Sequence, residues 1–264
     1  MRQTPPEVVL ATLVFIVFWV VVVVAVLIAR RRWERMRPFS QAMMAQWKPS
    51  LAIATLYLVG TVLGGRSVLN PYAVAVFCQA MIGLALARGI TGYEPLPASQ
   101  SIRRRQRPIR ETALMLVVAV VAIVPALLVG GIGMSVGSQL LGEVPCSSEA
   151  VGMFPADKWS VFFLLLSGAG IAEETAYRLV CLSFVWRVTR RPWLAVVASA
   201  VLFGAYHLSP LSGMYQTFWQ YPVSQFLGST LVGVVWGILY VKRGYETAVL
   251  SHTFQDWLPF ALFA

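Results

Sequence analysis

Residues 170–179 read GIAEETAYRL and sit inside a long apolar run, 161–186. Two glutamates and an arginine within such a run are costly. Charged groups at bilayer depth face a bundle interior or a wet cavity and usually mark function. Glu174 and Arg178 are four apart, so on a helix they share a face with the acid N-terminal to the base, and Arg178 can neutralise Glu174. Glu173 is turned about 100° away from Glu174 around the helix. It has Tyr177 one turn on and the small residues Ala169 and Gly170 one turn back. The spacing leaves one glutamate paired and one available, with room beside it for another helix or a substrate. The alternative is a purely structural salt-bridge knot between helices.

The chain around this stretch is apolar throughout. Of its 264 residues 58% are hydrophobic, and the mean hydropathy is +0.71. That composition excludes an ordinary soluble enzyme, and the apolar runs are long enough to span a bilayer. The candidate spans are 8–29, 50–63, 72–87, 112–132, 158–186, 192–207, 222–241 and 247–263. The expected fold is therefore all-α: a polytopic, multi-pass cell-membrane protein of about eight transmembrane helices, with the polar site in the C-terminal ones. Residues 1–110 read as N-terminal transmembrane helices followed by a basic cytoplasmic linker, and 111–264 as the C-terminal transmembrane core. Together they form one integral membrane domain. The Pro-, Ser- and Arg-rich stretch 89–110 reads as flexible.

The charge pattern sets an orientation. The first run is followed at once by Arg30, Arg31, Arg32, Arg35 and Arg37, whereas a signal peptide carries its charge in front of a shorter apolar region. This reads as a stop-transfer anchor. With the N-terminus outside, all 21 Lys and Arg except Arg2, Arg66, Lys158 and the intramembrane Arg178 fall on the inner side, as the positive-inside rule requires. The +10 net charge is thereby explained by topology, and nucleic acid is not an expected partner. The run Arg103–Arg107 reads as a topology signal or an anionic-lipid contact.

The three cysteines, Cys78, Cys146 and Cys181, form no CxxC and no even framework. Cys78 and Cys181 read as packing residues. The chain has two histidines, His207 and His252, both in the C-terminal spans. Phe203 lies one turn before His207, and Asp256 one turn after His252, so each pair can share a helix face. Two histidines, two glutamates and an aspartate in one half of an apolar chain point to a shared polar site.

Glu173-Glu174-x-x-x-Arg178, then Phe203-x-x-x-His207, then His252-x-x-x-Asp256, on successive hydrophobic helices, resembles the three-motif pattern of the CPBP family. These are the CAAX protease and bacteriocin-processing intramembrane endopeptidases, the type II CAAX prenyl endopeptidase or abortive-infection group. The resemblance covers about 158–263. The family often has Asn where this chain has Asp256.

Amide hydrolysis needs an activated water and donors where the oxyanion forms. An unpaired, buried Glu173 fits a general base, a histidine beside it can hold the same water, and a second histidine can donate to the oxyanion. The resemblance implies that Glu173 and His207 activate water while His252 and position 256 support the intermediate. An aspartate there repels an oxyanion unless it is protonated or orients His252 instead, and orienting is the favoured role. Glu174, Arg178 and Phe203 are then supporting residues. Two histidines and a glutamate also make a catalytic zinc set. No HExxH helix is present, and the resemblance favours a metal-free mechanism with no cofactor.

The expected function is hydrolysis of a peptide bond in a membrane-associated or lipidated protein or peptide precursor. The alternatives are a non-catalytic immunity or scaffold relative and a proton-linked transporter. One tension remains in the sequence. The topology puts His207 near the outer end of its span and His252 near the inner start of its own, so both reach Glu173 only if helices tilt or break. The stretch 208–221, with Pro210 and Gly213, is the candidate for a re-entrant segment.

Overall fold

The computed structural model describes residues 33–141, 155, 157–207 and 223–263, and among these all regular structure is helical. The order is α1 (Trp33–Met44), α2 (Trp47–Leu63), α3 (Tyr72–Arg88), α4 (Pro97–Arg104), α5 (Pro108–Val121), α6 (Ile123–Leu141), α7 (Lys158–Leu165), two π-helical segments π1 (Leu166–Glu173) and π2 (Thr175–Leu182), α8 (Ser183–Thr189), α9 (Pro192–Tyr206), α10 (Val223–Arg243) and α11 (Tyr245–Phe263). The apolar runs from residue 50 onward fall, over their described residues and apart from His207 at the end of one run, in these helices or in a succession of them. The run 8–29, Cys146 and the candidate re-entrant stretch 208–221 lie outside the described residues.

Among the described residues, two helical stretches are long and apolar enough to cross a membrane, Pro108–Leu140 and Gln225–Arg243. Trp47–Leu63, Tyr72–Arg88 and Pro192–Tyr206 are shorter apolar helices. The first of the long stretches is broken at Ala122 between α5 and α6. Pro125 supplies the reason: it has no N–H to give the Val121 carbonyl one turn back. The helix runs on to Leu141, past the expected end of that span at 132. Outward faces are apolar, with Val117, Val121, Val124, Leu128 and Ile132 on α5 and α6 and Trp193 and Val197 on α9 all exposed. Faces of this extent meet lipid or protein rather than water. Cys78 belongs to such a face: it is exposed rather than packed inside, in line with the exposed Val74 and Ile82 on α3.

Glycines bring the helices into backbone contact. A Cβ on Gly133 of α6 would stand 2.9 Å from the backbone at Leu227 and Gly228 of α10, and one on Gly233 would stand 3.2 Å from Ala200 of α9. Small residues at such crossings are the usual means of packing helices in lipid, where van der Waals contact rather than the hydrophobic effect holds them together. α10 is thus clamped between α6 and α9, with Phe203, Val232, Trp236 and Leu239 packed in one cluster.

Against α11 runs the 158–189 succession, antiparallel. Trp257 Nε1 donates to the Lys158 carbonyl at 2.8 Å. At the other end the Tyr245 hydroxyl donates to the Ile171 carbonyl at 3.2 Å and lies 2.7 Å from Thr175 Oγ1. The stretch 158–175 therefore lies beside the shorter stretch 245–257.

The stretch 89–110, expected to be flexible, is docked. Tyr93 packs between Trp186 and Tyr240, with ring centroids 4.9 and 5.5 Å away, and its hydroxyl donates to the Tyr240 carbonyl at 2.6 Å. Pro97 opens α4, and the Glu246 carboxylate accepts from the Ala98 and Ser99 amides at 2.8 Å each. That carboxylate satisfies amides that a helix start leaves unpaired. The base of α11 is thereby fixed to the segment before α5.

Candidate active site

Glu174 lies between π1 and π2, and its carboxylate is fully buried. One oxygen is 3.2 Å from Arg178 Nε, whose side chain is also fully buried. The other accepts from His252 Nδ1 at 2.9 Å. The expected Glu174–Arg178 pair is present, but Glu174 has a second partner that local spacing does not reveal. A hydrogen bond to a charged group contributes roughly 1.5–3 kcal/mol, so this bond ties π1 and π2 to α11 at the centre of the molecule.

The far side of the His252 ring carries the other two acids. Nε2 is 3.3 Å from Asp256 Oδ2 and 3.9 Å from Glu173 Oε2. The side chains of Asp256 and Glu173 are 35% and 24% exposed, against 3% for His252 and zero for Glu174 and Arg178. The cluster therefore has a closed side, Glu174 and Arg178, and an open side, Glu173 and Asp256. Asp256 was expected to orient His252. In the structure Glu174 holds the ring from the buried nitrogen, while Asp256 stands at the nitrogen that faces the opening.

Close backbone packing sets this geometry. Gly170 of π1 lies against Thr253 and Val249 of α11, so that a Cβ at position 170 would collide with Thr253 Oγ1. Any larger residue would push apart the two elements that carry Glu173, Glu174 and His252. Glu173 also lies within electrostatic reach of Tyr72 on α3 and of Tyr177.

His207, just past the end of α9, joins through Phe203. Its Nδ1–H donates to the Phe203 carbonyl at 2.9 Å, which leaves Nε2 of a neutral ring with a free lone pair. The Phe203 ring meets His207 edge-on at 4.7 Å and His252 edge-on at 5.7 Å. Both histidines thus share one aromatic wall, Phe203, without a break in α9 or α11. His207 lies within electrostatic reach of His252, Asp256 and Arg178. The Arg178 guanidinium stacks over Phe203 at 4.9 Å and over Trp236 at 5.8 Å.

Residues 155–258 match the family model described as Type II CAAX prenyl endopeptidase Rce1-like. That match supports the type II CAAX prenyl endopeptidase family for the C-terminal region of the chain. No curated protein and no solved structure matches the chain. The endopeptidase match covers π1, π2 and all of α9 and α10, and it includes Glu173, Glu174, Arg178, Phe203, His207, His252 and Asp256. This family of membrane-embedded proteases accords with the apolar outer faces of the helices.

Sequence reading missed two features of this endopeptidase core. One is Trp236, stacked on His252 with centroids 3.5 Å apart and planes at 22°. The other is the pair of π segments around Glu174. π-turns recur at functional sites, but no periodicity in Leu166–Leu182 announces them. For a metal, the donor set fits poorly: among the described residues no group of three His, Cys, Asp or Glu is arranged to hold an ion, and both His252 nitrogens already face carboxylates.

Proposed function

We propose that the protein is a multi-pass intramembrane endopeptidase that hydrolyses a peptide bond in a membrane-associated or lipidated protein or peptide precursor. The observation that carries this reading is the two-sided cluster: a buried Glu174–Arg178–His252 frame presenting Glu173 and Asp256 to an opening. An ion-pair knot serving structure alone has no need of acids turned to the open side.

In this reading Glu173 takes a proton from water, and the resulting hydroxide attacks the scissile carbonyl. The His207 lone pair at Nε2 accepts from the same water and aims it. As the tetrahedral oxyanion forms, His252 Nε2–H donates to it, a contact stronger in the transition state than in the ground state. Asp256 faces that nitrogen and keeps the ring turned toward the opening. Glu173, now carrying the proton, returns it to the departing amine. Glu174 holds the imidazole in place, and Arg178 neutralises Glu174. The mechanism requires no metal and no cofactor.

The test uses protein reconstituted in proteoliposomes with single-span peptide reporters, cleavage being read by mass spectrometry in H2(18)O. The expected result is new termini bearing one heavy oxygen, lost in Glu173→Gln and His207→Gln. Solute or proton flux through the vesicles without cleavage would instead support a transporter.

A further inference from the structure

We infer that Trp236 is a positioning residue for His252, holding the imidazole plane against an indole face so that its Nε2 stays aimed into the opening. The inference rests on the endopeptidase reading above. The carboxylates of Glu174 and Asp256 fix the ring within its own plane, because hydrogen bonds act along the ring nitrogens. They do little against tilting about the axis that joins those nitrogens. The indole supplies that restraint, lying nearly parallel to the ring at 3.5 Å. Phe203 closes the arrangement, meeting His252 at 86° and Trp236 at 76°.

Ordinary core packing does not account for an indole here. Trp236 is 2% exposed, and its Nε1–H has no hydrogen-bond partner among the described residues. A buried donor without a partner costs about 1–3 kcal/mol, and tryptophan N–H groups usually find one. A phenylalanine would fill much of the same space without that cost. What the indole adds is a broad, rigid ring system that meets both the imidazole and the Arg178 guanidinium. α10 is itself held by the contact of Gly233 with Ala200 and Phe203, so the face cannot drift.

The experiment exploits the two-histidine composition. With histidine-selective isotope labelling in nanodiscs, the protein gives two ring signals, assigned by His252→Asn. The His252 ring protons should be shifted upfield by the indole ring current. Trp236→Leu should abolish that shift, and Trp236→Phe should keep part of it. On a reporter cut by the wild type, Trp236→Leu should lower kcat roughly 10- to 100-fold, the loss typical of misplacing a catalytic group or its support. KM should be unchanged and Trp236→Phe should restore most of the rate. Trp236→Met, unbranched and close in volume, replaces the leucine variant if that one fails to fold. A folded leucine or methionine variant that keeps the wild-type kcat, in a protein that Glu173→Gln inactivates, overturns the positioning role and leaves the endopeptidase reading standing. An unshifted His252 signal in the wild type also overturns it. A wild type that cuts no reporter while the shift is present overturns the endopeptidase reading, and the positioning role with it.

Discussion

Removing one member of the buried ion pair is the most informative perturbation. Glu174 and Arg178 are fully buried, 3.2 Å apart, and Glu174 also holds His252 at 2.9 Å. Glu174→Gln keeps an acceptor for His252 but leaves the guanidinium facing an uncharged amide away from water. Losing one partner of a buried pair costs about 3–5 kcal/mol. At about 1.4 kcal/mol per tenfold, that is roughly two to four decades in the ratio of folded to unfolded protein, and a large share of a typical domain's 5–15 kcal/mol. Arg178→Met should cost a similar amount, since it strips Glu174 of its cation and also empties the space over Phe203 and Trp236. The double variant carries no unpaired charge at this point. It should cost less than the sum of the singles by about 2–3 kcal/mol, the upper end of coupling between contacting residues. Unfolding by SDS titration in mixed micelles, followed by circular dichroism, measures all four proteins. Additivity within about 0.5 kcal/mol would refute the claim that these two charges hold one another.

Three further predictions test the rest of the site. Glu173→Gln should unfold within about 1 kcal/mol of the wild type, because its carboxylate is partly exposed and no closer than 3.9 Å to a His252 nitrogen, while cleavage is lost. Equal destabilisation of the two glutamine variants would erase the distinction between closed and open sides. Gly170→Ala should cost about 1–3 kcal/mol and abolish cleavage by prising π1 from α11. Adding Thr253→Ala, which removes the colliding Oγ1, should recover part of both, and no recovery would mean that the contact does not set the site. Cleavage should survive exhaustive treatment with strong chelators, whereas activity switched off by zinc removal and on by its return would move the same residues into ligand roles.

Much of the architecture was legible because the apolar runs are long. Length alone marks 50–63, 72–87 and 192–207 as helices, and helices stand there. The Glu174–Arg178 pair was legible too, because i,i+4 spacing is a local property. What lay beyond reach depends on contacts between elements distant in sequence. The bond from Glu174 to His252 joins residues 78 positions apart, and the stacking of Trp236 on His252 joins two helices with no shared motif. The π-turns flank the buried Glu174, and the residues that form them read equally well as α-helix. Stretch 89–110 has the composition of a free linker, and only its contacts with residues far along the chain, Tyr93 with Trp186 and Tyr240 and the Ala98 and Ser99 amides with Glu246, reveal that it is docked.

The central claim is that Glu173, on the open side of a buried charge frame, drives peptide-bond hydrolysis within the membrane. The most direct measurement compares new protein N-termini, by quantitative mass spectrometry, in membranes holding equal amounts of the folded wild type or Glu173→Gln. The account predicts a defined set of termini, arising in membrane-associated proteins, that is present with the wild type and absent with the variant. Identical sets of termini from the two membranes would contradict it.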